Sequence, residues 1–99
     1  MSYRIEYSPD AEYHLRVLTV RQRVITLDEV DRQLTYQPTV ETRNRKPMRP
    51  NPVAPWELRI GNLRVYYDVQ ERPSRVVRVL AVGVKQRSSV RIGKEIVSL

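Results

Sequence analysis

The fold of this chain is decided by residues 56–69, WELRIGNLRVYYDV, in which apolar side chains alternate with polar or charged ones. Alternation of this kind is typical of strands with one buried face. Gly61 and Asn62 form the turn between the two alternating runs, with glycine at the first central position as a type II′ turn requires. We therefore predict a β-hairpin in register, with Ile60 opposite Leu63 and Arg59 opposite Arg64.

The two faces of this predicted hairpin differ in chemistry. One face is apolar and is expected to pack on helices, whereas the other carries Glu57, Arg59, Arg64, Tyr66 and Asp68. Arginines directly opposite each other repel unless an anion lies between them. Arg59 and Arg64 therefore predict a phosphate site. The alternative is that Glu57 and Asp68 neutralise them in a lattice of surface ion pairs.

Two helices are predicted before the hairpin, after a short strand over residues 3–7. Ser8 followed by Pro9 is typical of a helix start, and Thr19 and Gln22 have the spacing of a capping box. One bent helix is the alternative to two. Apolar residues recur at helical spacing: Ala11, Leu15 and Leu18 in the first helix, and Val24, Leu27, Val30 and Leu34 in the second, which Pro38 ends.

A long segment rich in proline and basic residues, 38–55, links the helices to the hairpin. Its cations are Arg43, Arg45, Lys46 and Arg49. A connection of this length without regular structure is unusual and often functional, and a solvated linker is the alternative.

The remainder of the chain predicts one more buried strand over residues 76–82 and a tail, 85–99, that is either a final strand or a docked helix. Residues 1–99 are therefore expected to form a single α+β domain in the order β-α-α-β-β-β. Its small, mostly antiparallel sheet is backed on one face by two helices.

The charge of the chain is concentrated in its C-terminal part. The 99 residues carry a net charge of +7, and the basic side chains are fifteen arginines and three lysines. Residues 1–41 hold five basic and seven acidic side chains, and residues 42–99 hold thirteen and four. Arginine suits phosphate and stacks on bases, so this pattern favours nucleic acid over the alternative of an acidic protein partner.

Several classes of site are excluded or disfavoured by composition. No cysteine is present, and His14 is the only histidine, so thiol chemistry and a paired-histidine ribonuclease are excluded. Asp28, Glu29 and Asp31 point in different directions on one helix, which indicates a solvated face and no metal site. We expect no cofactor. A chain without a long apolar run or a signal-like start is expected to be soluble and cytoplasmic, without membrane contact.

The hairpin sequence together with VLAVGVKQR, residues 79–87, resembles the RelE/ParE toxin superfamily over essentially the whole chain. The spacing L-R-x-G-x-x-R-V-x-Y, residues 58–67, carries most of this resemblance. It implies a small basic toxin held inactive by a cognate antitoxin. RelE-like members enter the ribosomal A site and cut mRNA without a metal ion, whereas ParE-like members poison DNA gyrase.

The resemblance also implies roles for individual residues. Arg64 matches the main phosphate-binding arginine, Arg59 its partner, and Lys85 the position of a catalytic arginine. Arg87 matches a further basic position. Glu57 stands where a lysine is frequent, and Arg91 where a tyrosine stacks on mRNA. The expected RNA-binding side chains are Arg87, Arg91, Arg43, Arg45, Lys46, Arg49 and Tyr66.

The expected function is therefore that of a ribosome-dependent, metal-independent mRNA endonuclease that inhibits translation. Its expected partners are the antitoxin, mRNA and the ribosome, with DNA reached only through the antitoxin complex. Two alternatives remain open: a ParE-like gyrase inhibitor that depends on the helical hairpin over residues 10–36, and a degenerate relative that only binds RNA or its antitoxin.

Overall fold

A computed structural model describes all 99 residues, Met1–Leu99. The chain forms an α+β fold with two helices and a mostly antiparallel open sheet. The helices are α1 (Pro9–Val17) and α2 (Val20–Leu34). The strands are β1 (Arg4–Tyr7), β2 (Arg45–Pro47), β3 (Trp56–Ile60), β4 (Leu63–Gln70), β5 (Val76–Gln86), β6 (Ser89–Ile92) and β7 (Glu95–Val97).

Both helices begin where side-chain capping allows them to begin. The Ser8 hydroxyl accepts a hydrogen bond from the Ala11 backbone N–H at 3.0 Å. Thr19 and Gln22 form the full capping box, so two helices are confirmed and the single bent helix is not found. The prediction for Val24 was wrong. We expected it in the buried apolar stripe of α2, but it is 51% exposed, and Thr26 is buried in that part of the helix.

The sheet is larger than the sequence predicted, with the order β2-β3-β4-β5-β6-β7 and β1 parallel to the first half of β5. The segment 38–55 is not free of regular structure, because β2 lies within it and pairs with β3. The tail is neither one strand nor a helix: β6 and β7 form a second hairpin. Short strands of this kind carry too little periodicity to be predicted from sequence, because their partners stabilise them.

One bulge keeps the apolar side of β5 continuous. Tyr67 is opposite Val79 and Tyr66 is opposite Ala81, so Leu80 is an extra residue in the pairing with β4. The bulge changes the side-chain parity, so that Val77 and Val79 before it and Val82 and Val84 after it join one core with α1 and α2. A single alternating pattern across this strand would have sent half of these valines to the opposite face.

Polar side chains of α1 and of its N-cap residue fill the place beside β5 where neither β1 nor β6 pairs with it. The Val82 backbone N–H donates to His14 Nδ1 at 3.2 Å, and the Ser8 hydroxyl donates to the Leu80 carbonyl at 3.2 Å. These bonds satisfy backbone groups that the gap between β1 and β6 leaves without a strand partner.

The face of the sheet opposite the helices is partly covered. Residues 48–54 fold back over it and form a second small core, whose buried members are Ala54, Tyr66, Ala81, Val90 and Ile92. Residues 48–54 do not extend over the turn end of the β3–β4 hairpin, which stays open to solvent on this face. No helix in the structure is both long enough and apolar enough to cross a membrane.

Candidate functional site: a cationic cleft

The β3–β4 hairpin brings Arg59 and Arg64 directly opposite each other. The observed register pairs Ile60 with Leu63, Arg59 with Arg64 and Glu57 with Tyr66, which confirms the predicted alignment. Gly61 has a φ of +56° and Asn62 is not in the left-handed region, as a type II′ turn needs. The turn therefore fixes two guanidinium groups on the same face of the sheet.

Arg64 is held rigidly and Arg59 is not. Arg64 Nη1 donates to the carbonyl oxygens of Gly61 and Leu63 at 2.8 and 2.9 Å, and its side chain is only 12% exposed. Arg59 is 49% exposed and makes one side-chain hydrogen bond, from Nε to the Glu57 carboxylate at 2.8 Å. The hairpin thus presents one fixed cation and one that is free to adjust.

Glu57 is the anion between the two arginines. Its carboxylate lies 2.8 Å from Arg59 Nε and 4.0 Å from Arg64 Nε, and its side chain is 11% exposed. Asp68, the other carboxylate that we considered for this role, instead contacts Arg78 at 3.6 Å. The repulsion between the opposed arginines is therefore relieved from within the chain, by one acid and not by a lattice.

An open cleft of about 550 Å³ lies over this arginine pair. Lys85, near the end of β5, and the segment 46–51 form its walls. Five cationic side chains line it with a single acidic side chain, that of Glu57, so the side chains of its walls carry a net positive charge. The cations are Lys46, Arg49, Arg59, Arg64 and Lys85.

The wall formed by residues 46–51 is organised by Asn51. Its Oδ1 accepts from the backbone N–H groups of Val53 and Ala54, and its Nδ2 donates to the carbonyls of Arg49 and Ala54. Side-chain bonds of this kind stabilise a turn without regular secondary structure. We did not predict Asn51 as a site residue from the sequence, although an asparagine in a proline-rich segment is a turn signal.

The remaining predicted site residues lie outside the cleft. Arg45 is buried: its Nε donates to the Val40 carbonyl at 2.9 Å and its Nη1 to the Gln33 carbonyl at 2.9 Å. Tyr66 is a buried member of the second core and is not at the surface. Arg91 is opposite Val84, whose side chain belongs to the helix side of the sheet. Arg43 and Arg87 are exposed and do not line the cleft.

The Tyr66 hydroxyl is the one buried side-chain polar atom without a hydrogen-bond partner. Burial raises the pKa of Tyr66 far above its usual value, and the neighbouring Glu57 carboxylate acts in the same direction. The Tyr66 side chain therefore stays neutral beside Glu57, Arg59 and Arg64. No group of three or more His, Asp or Glu side chains is arranged to hold a metal ion.

Comparison with known proteins assigns no family to this chain. No family model matches it, and no curated protein is significantly similar to it. The fold and the site define a small basic α+β protein with a cation-lined cleft at the end of a β-hairpin.

Proposed function

We propose that this protein is a RelE-like toxin of a toxin–antitoxin pair, acting as a ribosome-dependent, metal-independent mRNA endonuclease. The observation that supports the proposal best is the meeting of Arg59, Arg64 and Lys85 in one cleft. These three residues come from two different parts of the sequence, and the resemblance gives each of them a part in catalysis. A cleft of cations with a fixed arginine suits a phosphodiester.

The proposed reaction is attack of an RNA 2′-hydroxyl on the adjacent phosphate. The O2′–P bond forms and the P–O5′ bond breaks, which leaves a 2′,3′-cyclic phosphate and a 5′-hydroxyl. Arg59 and Arg64 bind the non-bridging oxygens and stabilise the extra negative charge of the transition state. Lys85 protonates the leaving O5′ oxygen, and the 2′-hydroxyl proton passes to water.

The other partners follow from the same proposal. Lys46 and Arg49, on the wall of the cleft, contact mRNA or ribosomal RNA through phosphate, in a manner weakened by salt. The cognate antitoxin covers the basic face when the toxin is inactive. Cytoplasmic location belongs to this proposal, because ribosomes are its target.

Cleavage of a defined mRNA on ribosomes with an empty A site tests the proposal. We expect cuts within the A-site codon by the wild type and none by Arg64→Ala. Lys85→Ala is a second variant, because Lys85 is exposed and makes no ion pair, so its loss leaves the fold intact. Arg78→Ala is the matched control: it removes an arginine of the same sheet that contacts Asp68 outside the cleft.

Full cutting by folded Arg64→Ala and Lys85→Ala would reject the endonuclease proposal. Growth arrest without any cutting would instead favour the gyrase inhibitor. If the protein neither cuts mRNA nor arrests growth, the remaining interpretation is a protein that only binds RNA or its antitoxin.

A specific observation favours the gyrase inhibitor as the second candidate. Three apolar side chains of α2 face solvent: Val20 is 69%, Val24 51% and Ile25 37% exposed. A surface of this kind is suited to contact with a protein. In that case Val24→Asp would abolish growth arrest and Arg64→Ala would not, the reverse of what the endonuclease predicts.

A further inference from the structure

We infer that Glu57 is an internal competitor for the phosphate of the bound nucleic acid. Its carboxylate occupies the place between Arg59 and Arg64 that an RNA phosphate would take, and the two anions exclude each other from it. The inference rests on the proposed function, since it names RNA phosphate as the ligand of the same cleft.

The Glu57 carboxylate already takes the Arg59 contact that a bound phosphate would need. It accepts from Arg59 Nε at 2.8 Å and lies 4.0 Å from Arg64 Nε, and Glu57 lines the cleft. Glu57 is in β3, with Lys46 on one side and Tyr66 on the other. The strand pairing therefore fixes the carboxylate in the cleft, and an incoming phosphate meets a negative charge at its own binding place.

Neighbouring cations do not neutralise Glu57 further. Lys46, directly across from it in β2, has its ammonium group 3.6 Å from the Glu41 carboxylate instead. Arg49 and Lys85 line the cleft but make no ion pair. The Glu57 carboxylate thus weakens the field at the arginine pair, whereas the outer cations still attract a polyanion to the opening.

Glu57 is not required to hold the arginine that matters most. Arg64 is fixed by the carbonyls of Gly61 and Leu63, and its 4.0 Å separation from Glu57 is too long for a hydrogen bond. Loss of the carboxylate would therefore leave Arg64 in place and free the Arg59 guanidinium. This distinguishes a competitor from a positioning residue, whose loss would weaken binding.

Equilibrium binding of a fluorescent single-stranded RNA to Glu57→Gln tests the inference. We expect affinity about tenfold tighter than that of the wild type at the same salt, because removing one charge near the phosphate changes the binding free energy by about 1.4 kcal/mol. Its plot of log K against log salt should also be steeper by about 0.7, since one more counterion is released.

Asp68→Asn is the matched control, because it removes the same charge from the same sheet where Asp68 contacts Arg78 and does not line the cleft. It should change RNA affinity little, which separates the local effect from the change in net charge. In an Arg59→Gln background the gain from Glu57→Gln should shrink to less than half, because the two residues act through one contact.

Unchanged or weaker RNA binding by folded Glu57→Gln would overturn the inference, and so would an equal gain in Asp68→Asn. Glu57→Gln leaves the arginines opposed, so thermal unfolding is measured alongside. If that variant does not fold, Glu57→Asp, whose carboxylate is one carbon shorter, replaces it and should bind RNA more tightly than the wild type. If the wild type binds RNA no better than Arg64→Ala, the proposed function fails and the inference is overturned with it; unchanged binding by Glu57→Gln beside weakened binding by Arg64→Ala overturns the inference alone.

Discussion

At the residue scale, Arg45 shows how a cation in a basic segment can be structural. We expected an RNA contact, because four cations close together in a proline-rich run are typical of a solvated binding loop. The structure buries Arg45 without a carboxylate partner and satisfies it with carbonyls. One of them, Gln33, lies in the last turn of α2, where the helix dipole favours a cation.

Replacement of Arg45 should therefore affect stability and not RNA affinity. We expect Arg45→Leu to lower the free energy of unfolding by about 2–4 kcal/mol, because two carbonyls lose a charged donor. Urea unfolding followed by circular dichroism measures this. Arg43→Ala is the control in the same segment: Arg43 is exposed, and the change should be below about 0.5 kcal/mol. Equal losses in both variants would contradict the structural role.

At the element scale, β5 organises the molecule, since it pairs with β1, β4 and β6. Its central position was foreseeable from its many β-branched residues, but its bulge was not identified. The signal was present: the apolar positions Val77 and Val79 are odd and Val82 and Val84 are even, so the alternation changes parity across Leu80 and Ala81. Only an additional residue in the pairing puts all four on one face.

Gly83 lies where β5 and β6 approach most closely. A Cβ there would be 2.7 Å from the Arg91 carbonyl oxygen and 2.7 Å from Val90 Cγ1. We expect Gly83→Ala to cost about 1–3 kcal/mol and to increase hydrogen exchange of the β6 amides, because β6 must shift away. Gly61→Ala, in the hairpin turn, should also destabilise the protein but leave exchange in β6 unchanged. Unchanged β6 exchange in Gly83→Ala would disprove the close approach.

His14 makes the packing of α1 on β5 sensitive to pH. Burial lowers the pKa of His14, against the opposing effects of Asp10 and Glu95, and its Nδ1 must be unprotonated to accept from Val82. Because the folded pKa lies below the unfolded value of about 6.5, this contribution to stability is present above pH 6.5 and lost as the pH falls.

Denaturant midpoints at pH 7.5 and pH 5 test this. The wild type should be less stable at pH 5, and the difference should shrink in His14→Asn, which keeps an acceptor near Nδ1 but does not titrate. An equal pH dependence in the two proteins would exclude His14 as its source.

At the scale of the whole molecule, two buried tyrosines, Tyr66 and Tyr67, and the half-buried Tyr7 limit stability at alkaline pH. Burial raises the pKa of Tyr7 to about 12 and raises those of Tyr66 and Tyr67 in the same direction. The unfolded chain therefore loses these protons first, near pH 10, and stability falls as the pH rises further. Each fully buried tyrosine contributes a slope of up to about 1.4 kcal/mol per pH unit.

Unfolding above pH 10, followed by tyrosinate absorbance and circular dichroism, should show both signals changing together. Tyr67→Phe should flatten the decline, since it removes one of these groups, at the cost of the hydrogen bond from its hydroxyl to the Pro38 carbonyl. Ionisation of all tyrosines near pH 10 with the fold intact would contradict this.

Features that depend on adjacent residues could be predicted from the sequence, and features that depend on tertiary contacts could not. The hairpin register, the capping box and the meeting of Arg59 with Arg64 followed from spacing, because a two-residue turn and a helix cap depend on adjacent residues. The burial of Arg45 and Tyr66 and the strands β2, β6 and β7 depend on which distant segment covers which face. No local pattern encodes that.

The parallel pairing of β1 with β5 has a consequence for the order of events during synthesis. Ser8 and Leu80, which meet beside β5, are 72 residues apart in the sequence. The residues of the first strand, both helices and the β3–β4 hairpin are therefore synthesised before β5, which pairs with β1 and β4 and carries the lysine of the cleft. Shape and candidate site thus depend on one late segment, and neither can be completed before β5 has been made.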